Sequence, residues 1–147
     1  MSESKIAPVG LEAVAGLLEI ERQCFKNPWS ISHFTSAFKS PLMDISAYFA
    51  ADLIAGYIVL YRLSKVLVIA NLAVSPDYRA KGIGTALLVY GLEFGRTNHC
   101  NYSILDVRQS NDRAVSLYRK EGYVIIGKNK GYYQNPYEDS FIMGRSI

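Results

Sequence analysis

The chain has 147 residues, half of them apolar or aromatic and a fifth charged, which predicts a single globular domain over residues 1–147. Its net charge of +3 suits a polyanionic small molecule but is too small to predict direct nucleic-acid binding. No stretch approaches the roughly 20 apolar residues of a membrane span and no signal peptide is recognisable, so we expect a cytoplasmic protein.

The first half of the chain predicts two helices followed by three strands. Apolar residues at helical spacing indicate a helix over residues 11–25. The sequence Asn27-Pro28-Trp29-Ser30 then interrupts the chain, and Ser30 is suited to cap a second helix that runs to about Lys39. Strands are predicted over residues 45–51, 54–63 and 66–74, and the first two are close enough to form a hairpin.

The second half alternates helices and strands. We predict a helix over 83–96, a buried strand over 102–107, a helix over 111–120 that Gly122 ends, and strands over 123–127 and 140–143. A strand–helix–strand–helix unit of this kind places its two strands parallel in the centre of a sheet. The expected fold class is therefore α/β, with a mixed sheet of about six or seven strands, a central parallel pair and about four helices.

The segment from Arg79 to Thr85 lies between the third strand and the third helix. Its two glycines, Gly82 and Gly84, allow a tight turn and close approach of the backbone to a ligand. The helix that begins there presents free N–H groups and the positive end of its dipole, and Arg79 and Lys81 add two cations. These features predict an anion site for a phosphate-bearing cofactor.

Two common nucleotide motifs do not fit this turn. A P-loop requires Gly-Lys-Ser/Thr, whereas Gly84 is followed by Thr85 and Ala86. A dinucleotide-binding turn requires a third glycine where this chain has Leu87, and the segment from Ser75 to Lys81 is too long and too basic for it.

The turn reads R-x-x-G-x-G after Asn71-Leu72-Ala73-Val74, and this combination resembles the acetyl-CoA signature of the GNAT superfamily of N-acetyltransferases. The resemblance covers roughly residues 24–143. It includes Cys24-Phe25, Pro28-Trp29-Ser30, Leu105-Asp106-Val107-Arg108, Ser110-Asn111, Leu117-Tyr118, Gly122-Tyr123, Tyr132-Tyr133 and Glu138-Asp139. The pattern is most similar to that of RimI-type enzymes, which acetylate the N-terminal alanine of a small-subunit ribosomal protein.

The resemblance implies acetyl-CoA as co-substrate and names the residues that would bind it. Backbone N–H groups of the turn would hold the pyrophosphate, the end of the third strand would pair with the pantetheine arm, and the Asn111 side chain would hydrogen-bond the cofactor. The implied cofactor-binding residues are Leu72, Ala73, Val74, Arg79, Ala80, Lys81, Gly82, Ile83, Gly84, Thr85 and Asn111. Asn111 is equally well explained as an ordinary helix cap.

Two residues would carry the chemistry. Tyr118 would donate a proton to the departing thiolate, although a tyrosine within a helix is often simply packed. RimI-type enzymes resemble one another in carrying glutamate as general base at the position of Asp106. Aspartate is shorter by about 1.5 Å, which favours an intervening water. A structural carboxylate that pairs with Arg108 or a backbone N–H is the alternative.

The acceptor side is less specific. Trp29, Tyr132 and Tyr133 would form an aromatic wall for a peptide N-terminus, with Glu138 or Asp139 attracting its amine, and each is also compatible with plain surface or core. The predicted function is transfer of acetyl to a protein N-terminal amine, by a monomer or weak homo-oligomer. Acetylation of lysine side chains or small amines, and a non-catalytic acetyl-CoA-binding module, are the alternatives.

The chain has two cysteines, Cys24 and Cys100, which fit neither a disulfide framework nor a zinc site. We therefore expect reduced thiols and no metal. Since neither cysteine falls in a motif segment that carries the chemistry, we expect the amine to attack directly, without a covalent acetyl-cysteine.

Overall fold

The structure is a computed structural model that describes residues 4–147. Within that range seven strands and four α-helices follow one another along the chain. They are β1 Ser4–Pro8, α1 Val14–Cys24, α2 Ile31–Lys39, β2 Met43–Ala50, β3 Leu53–Leu63, β4 Val66–Val74, α3 Ile83–Thr97, β5 Tyr102–Arg108, α4 Asp112–Lys120, β6 Val124–Tyr133 and β7 Glu138–Ser146. Short 3-10 turns precede α1 and follow β4.

All seven strands form one sheet in the order β1-β2-β3-β4-β5-β7-β6. Every neighbouring pair is antiparallel except β4 and β5, which are parallel. The predicted fold class, a mixed sheet with a central parallel pair and four helices, is confirmed.

The sheet separates two apolar clusters, because successive side chains of a strand point to opposite faces. On β3, Ile58 and Leu60 pack with the buried leucines of α3. Their neighbours Tyr57 and Val59 pack on the other face against α1 and α2. The helices therefore cover both faces of the sheet.

The parallel pair is joined only at its beginning. Residues Val66 to Val68 pair with Tyr102 to Ile104, and no further pairing follows although β4 continues to Val74 and β5 to Arg108. A β-bulge lies just beyond, where Val59 of β3 pairs with Asn71 but Leu60 pairs with Ile69. A bulge bends its strand, and here the two parallel strands separate and leave a cleft at their carboxyl ends.

The predicted helix boundaries rest on local chemistry and are confirmed. The Ser30 hydroxyl accepts from the His33 N–H, and the His33 ring accepts from the Ser30 N–H, which completes a capping box for α2. At the end of α4, Gly122 adopts a left-handed φ of 88° and Tyr123 N donates to the Tyr118 carbonyl at 3.0 Å. This is the glycine-dependent ending that the sequence indicates.

The edges of the sheet differ from the prediction. β1 was not expected, and β6 and β7 extend well beyond residues 123–127 and 140–143. Both β1 and β6 are edge strands that pair on one side only, so backbone pairing with a neighbour, rather than an apolar pattern, defines them. Because β6 contains the polar run Lys128-Asn129-Lys130, the apolar pattern used to predict strands does not extend over this part of it.

Candidate active site

Two cavities open into the cleft between β4 and β5. The glycine-turn cavity, of about 480 Å³, is bounded by the end of β4, the turn from Tyr78 to Thr85 and one face of α4. The aromatic cavity, of about 520 Å³, is bounded by Trp29, Tyr132, Tyr133 and the carboxyl end of β5. They share five lining residues: Phe25, Leu72, Asn111, Ala114 and Tyr118. The cavities therefore meet beside Tyr118.

The turn has the geometry of an anion site. Gly82 precedes the first residue of α3 with a left-handed φ of 79°, and a Cβ placed on it would meet no atom within 4 Å. No side chain caps α3, so the first N–H groups of the helix are left to a ligand. These donors at the helix N-terminus fit the pyrophosphate of acetyl-CoA.

The predicted cofactor residues line this cavity with one exception. Leu72, Ala73, Val74, Arg79, Ala80, Gly82, Ile83, Gly84, Thr85 and Asn111 all contribute to its wall. The side chains of Ala73 and Ile83 are also part of the apolar clusters. Lys81 is not in the wall: its ammonium lies over the Tyr78 ring, 5.5 Å from the centroid.

Arg79 points inward rather than along the turn. Its Nε donates to the Val74 carbonyl at 3.3 Å, and its Nη2 lies 3.3 Å from the sulfur of Cys24. The guanidinium therefore lies next to the end of β4, and its role as supporting charge for the cofactor stays a prediction.

Asn111 has a structural role and also carries a side-chain amide NH₂ group that can donate hydrogen bonds. Its Oδ1 accepts from the Ala114 N–H at 3.2 Å and caps α4. Its side chain also faces both cavities. The cap uses only the amide oxygen, and the Nδ2 donors have no hydrogen-bond partner among residues 4–147.

Tyr118 lies where the two cavities join. It is 7% exposed, and its ring packs edge-on against Tyr123 with 5.7 Å between centroids. Burial, with smaller contributions from Tyr123 and Tyr133, raises the pKa of Tyr118 above its ordinary value of 10. Within residues 4–147 its hydroxyl makes no hydrogen bond. The phenol therefore keeps its proton at neutral pH, and Tyr118 borders both cavities.

Asp106 is exposed and lines the aromatic cavity. Its Oδ1 accepts from Asn129 Nδ2 at 3.0 Å and from Ser140 Oγ at 2.8 Å. The alternative in which it pairs with Arg108 is wrong, because Arg108 instead binds Glu138 at 3.2 Å. The two neutral donors bind the carboxylate through one oxygen, and Oδ2 has no hydrogen-bond partner among residues 4–147.

The three predicted aromatic residues come together in one wall. Tyr132 and Tyr133 pack edge-on with 4.9 Å between centroids, and the Arg108 guanidinium lies 4.2 Å from the Tyr133 centroid. Trp29 faces the same cavity from the segment between α1 and α2. Burial, more than the neighbouring charges, raises the pKa of Tyr133 to about 12.

The acidic pair predicted to attract the amine lies elsewhere. Glu138 does not line the cavity: its carboxylate accepts from the Ser110 N–H at 2.7 Å and from Arg108. Hydrogen bonds from Ser110, then Arg108, lower the pKa of Glu138. Asp139 accepts from the Gly131 N–H at 2.8 Å. Glu138 thus ties the start of β7 to the end of β5, and Asp139 ties β7 to β6.

Two segments that border the aromatic cavity are linked to each other. Asn27, between α1 and α2, donates through Nδ2 to the carbonyl of Gln134 in the turn between β6 and β7. Asn27 itself lines the aromatic cavity, so the contact joins the segment that carries Trp29 to the hairpin that carries Tyr132 and Tyr133.

Sequence reasoning missed two residues in this region. Glu21 is 1% exposed yet lines the aromatic cavity, and Cys24 lines the glycine-turn cavity. The signal for Glu21 was present: it lies four positions after Leu17 and three after Leu18, on the apolar face of α1. A carboxylate on that face calls for a buried partner.

Cys24 donates its thiol to the Val74 carbonyl at 3.3 Å. Burial raises the pKa of Cys24, and this outweighs the opposing effect of Arg79. Cys24 is therefore held as a neutral thiol, which is a weak nucleophile.

The remaining expectations from composition concern cysteines, metals and membranes. Cys24 and Cys100 are both free thiols, as predicted. Among residues 4–147 no group of three or more His, Cys, Asp or Glu side chains is placed to hold a metal ion. In the same part of the chain, every helix is too short or too polar to cross a membrane.

Comparison with known proteins agrees with this geometry. The profile of the acetyltransferase (GNAT) family matches residues 14–123. A Bacillus subtilis protein described as a putative [ribosomal protein bS18]-alanine N-acetyltransferase is 28% identical over 147 residues, covering 99% of this chain and 97% of its own. The N-alpha-acetyltransferase RimI of Mycobacterium tuberculosis is 30% identical over 133 residues, covering 86% of this chain and 82% of its own.

A solved structure shares the fold. The crystal structure of the ribosomal-protein-S18-alanine N-acetyltransferase from Escherichia coli superimposes with a TM-score of 0.91 at 24% identity, covering 99% of this chain and 94% of the other. At that identity the likeness concerns the arrangement of strands and helices alone.

Proposed function

The chain belongs to the acetyltransferase (GNAT) family, and from that premise we propose that it transfers acetyl from acetyl-CoA to the N-terminal α-amine of a protein. The observation that carries this proposal is the meeting of the two cavities at Tyr118. One cavity has the donors for a phosphate-bearing cofactor, and the other has a carboxylate and an aromatic wall for an amine. The likeness to the Bacillus subtilis relative named for bS18-alanine acetylation favours the N-terminal alanine of a small-subunit ribosomal protein as acceptor.

The residues of the glycine-turn cavity would hold acetyl-CoA, which supplies an acetyl thioester. N–H groups from Ala80 to Thr85 would bind its pyrophosphate, and the backbone of Leu72 to Val74 would pair with its pantetheine arm. Asn111 would donate from Nδ2. These assignments rest on the open cradle at Gly82 and on the uncapped start of α3.

The aromatic cavity favours a chain terminus over a side chain within a folded surface. The contact from Asn27 to Gln134 holds together the two segments that carry Trp29 and Tyr133. An extended peptide end would fit between segments joined in this way more easily than a lysine presented from a folded surface, which brings additional bulk. This supports an N-terminal amine as the acceptor.

Proton transfer would use Asp106 and Tyr118. A protein α-amine has a pKa near 8, so only about a tenth is neutral at pH 7. Asp106 Oδ2 would accept the proton of the ammonium, directly or through a water molecule. Tyr118 Oη would donate a proton to sulfur as the carbon–nitrogen bond forms and the carbon–sulfur bond breaks. The nitrogen would lose its second proton in the same step, and this proton would restore Tyr118, while Asp106 would pass the first to solvent. The products are the acetylated amine, CoA and one proton released to solvent.

Direct attack by the amine is favoured over a covalent acetyl-cysteine. Although Cys24 lies in the glycine-turn cavity, its thiol is hydrogen-bonded to the Val74 carbonyl and burial raises its pKa. A single chain carries both cavities, so the proposed reaction requires no second copy. A ribosomal acceptor would place the reaction in the cytoplasm.

The test is mass spectrometry of ribosomal-protein N-termini in cells with and without the gene for this chain. Loss of the acetyl group from one N-terminal alanine upon deletion, with restoration by the wild-type gene, is the expected result. If every ribosomal N-terminus is unchanged, the acceptor is another amine. The wild-type gene and an Asp106→Asn copy should then be compared, because a non-catalytic module would restore any phenotype equally with either.

A further inference from the structure

Glu21 is a buried carboxylate that neutral donors from three other segments surround. Its Oε1 accepts from Asn71 Nδ2 at 2.7 Å and from the Tyr57 hydroxyl, and its Oε2 accepts from the Trp29 N–H at 2.8 Å. Within residues 4–147 no Lys or Arg forms an ion pair with it. A carboxylate at 1% exposure is held here by hydrogen bonds alone.

Each side of this network reaches the aromatic cavity. Trp29, whose N–H binds Glu21, provides part of the aromatic wall and lies directly before the cap of α2. On the other side, Asn71 lies at the bulge of β4, and its Oδ1 accepts from the Leu72 N–H at 3.0 Å. Leu72 is one of the five residues shared by the two cavities.

Only a carboxylate satisfies all three donors. An amide at position 21 must turn its NH₂ toward either the Trp29 N–H or Asn71 Nδ2, and both are donors. Asn71 cannot rotate its amide to relieve the conflict, because its Oδ1 is already occupied by the Leu72 N–H. Tyr57 can adapt, since a hydroxyl both donates and accepts.

We propose that Glu21 is a positioning residue for the acceptor: it fixes the aromatic wall at Trp29 to the bulge of β4 at Asn71, and thereby sets where the acceptor amine lies relative to the junction of the two cavities. This rests on the proposed function of the aromatic cavity. Glu21 acts through Trp29 and Asn71, so its loss should alter use of the acceptor more than binding of acetyl-CoA.

The test compares Glu21→Gln with Glu19→Gln, an exposed position on the same helix, using a peptide with a free N-terminal alanine. For Glu21→Gln we expect the peptide KM to rise at least about tenfold, which is about 1.4 kcal/mol. The acetyl-CoA Kd should stay within about twofold, and Glu19→Gln should match the wild type in both measurements.

A double variant should restore part of the peptide affinity that Glu21→Gln loses. In Glu21→Gln with Asn71→Asp, the glutamine NH₂ faces a carboxylate oxygen while the other carboxylate oxygen keeps the Leu72 N–H. We expect the peptide KM to recover at least about threefold relative to Glu21→Gln, because donors and acceptors again match. Glu21→Asp retains the charge but falls short of the donors by one methylene, and it should give an intermediate KM.

Outcomes separate three cases. A folded Glu21→Gln protein with wild-type peptide KM overturns the proposal, as does an equal rise in peptide KM and acetyl-CoA Kd. If Glu21→Gln does not fold, Glu21→Asp and the double variant test the proposal in its place. A wild-type peptide KM in both of these variants overturns the proposal. Failure of the proposed function is distinct, because the wild type itself would then not acetylate the peptide.

Discussion

Replacing Tyr118 by phenylalanine removes one oxygen from the junction of the two cavities and leaves the ring in place. The ring of Tyr118 packs against Tyr123, and the phenylalanine retains that contact. Its hydroxyl makes no hydrogen bond within residues 4–147, so no partner is left unsatisfied. We expect the free energy of unfolding to change by less than about 1 kcal/mol.

The expected effect on turnover is much larger. A positioned general acid contributes about 10²–10⁴ in rate. A thiol has a pKa near 8.5 and its thiolate leaves readily, which places this case near the low end, at about 100-fold or 2.7 kcal/mol of barrier. The acetyl-CoA Kd should stay within about twofold, because the lost hydroxyl is one of many contacts along a long ligand.

The assay is single-turnover acetylation of an alanine-terminated peptide by rapid quench, so that product release does not mask the chemical step. Tyr123→Phe is the matched control: its hydroxyl bonds Ser103 at 2.7 Å and lies outside both cavities. The control should lose about 1 kcal/mol of stability and keep its rate. A Tyr118→Phe rate within about threefold of wild type would refute the general-acid role.

Three further predictions concern the base, the turn and the pH profile. Asp106→Asn keeps an oxygen for Asn129 and Ser140 but removes the negative charge. Its rate relative to wild type should be about 100-fold lower at pH 6.5 but less than about threefold lower at pH 9.5, because the amine is already neutral there. A rate deficit independent of pH would make Asp106 structural. In Gly82→Ala the alanine must adopt an unfavourable left-handed φ, which costs about 1 kcal/mol. Calorimetry should therefore show acetyl-CoA binding weakened about fivefold, whereas the control Gly127→Ala should keep the wild-type affinity. Unchanged affinity in Gly82→Ala would mean that the turn does not bind the cofactor. Burial raises the pKa of Tyr118, so wild-type kcat/KM should show no fall between about pH 8 and pH 10; a fall near pH 9, with circular dichroism unchanged, would contradict this.

The centre of the molecule was predictable because its signals are local. The segment from β4 through α4 carries an apolar strand, a glycine turn, a capping asparagine and a terminating glycine within some 50 residues, and the predicted order of elements is confirmed. The edge strands were less predictable, since β1 has only five residues and β6 is largely exposed and contains the polar run Lys128-Asn129-Lys130. Their pairing depends on neighbours that are distant in sequence.

In the candidate site, too, features with a local signal in the sequence were predictable and contacts between distant segments were not. Residues within motif segments, such as Asn111 and Tyr118, line the cavities of the cleft. Glu138 does not, because its carboxylate binds Arg108 and Ser110, and a contact of that kind cannot be derived from spacing. Glu21 was not predicted for a different reason. Its position on the apolar face of α1 can be derived from the sequence, but its hydrogen-bond donors Tyr57 and Asn71 are 36 and 50 positions away along the chain.

The most direct test of the account uses two peptides of the same sequence with the purified protein and acetyl-CoA. One peptide has a free N-terminal alanine and an internal lysine, and the other has the same lysine but a blocked N-terminus. CoA release is followed with a thiol reagent, and tandem mass spectrometry locates the acetyl group. We predict CoA release and an acetylated α-amine with the first peptide only. Acetylation of the lysine in the blocked peptide at a comparable rate, or no CoA release with either peptide, would contradict the account.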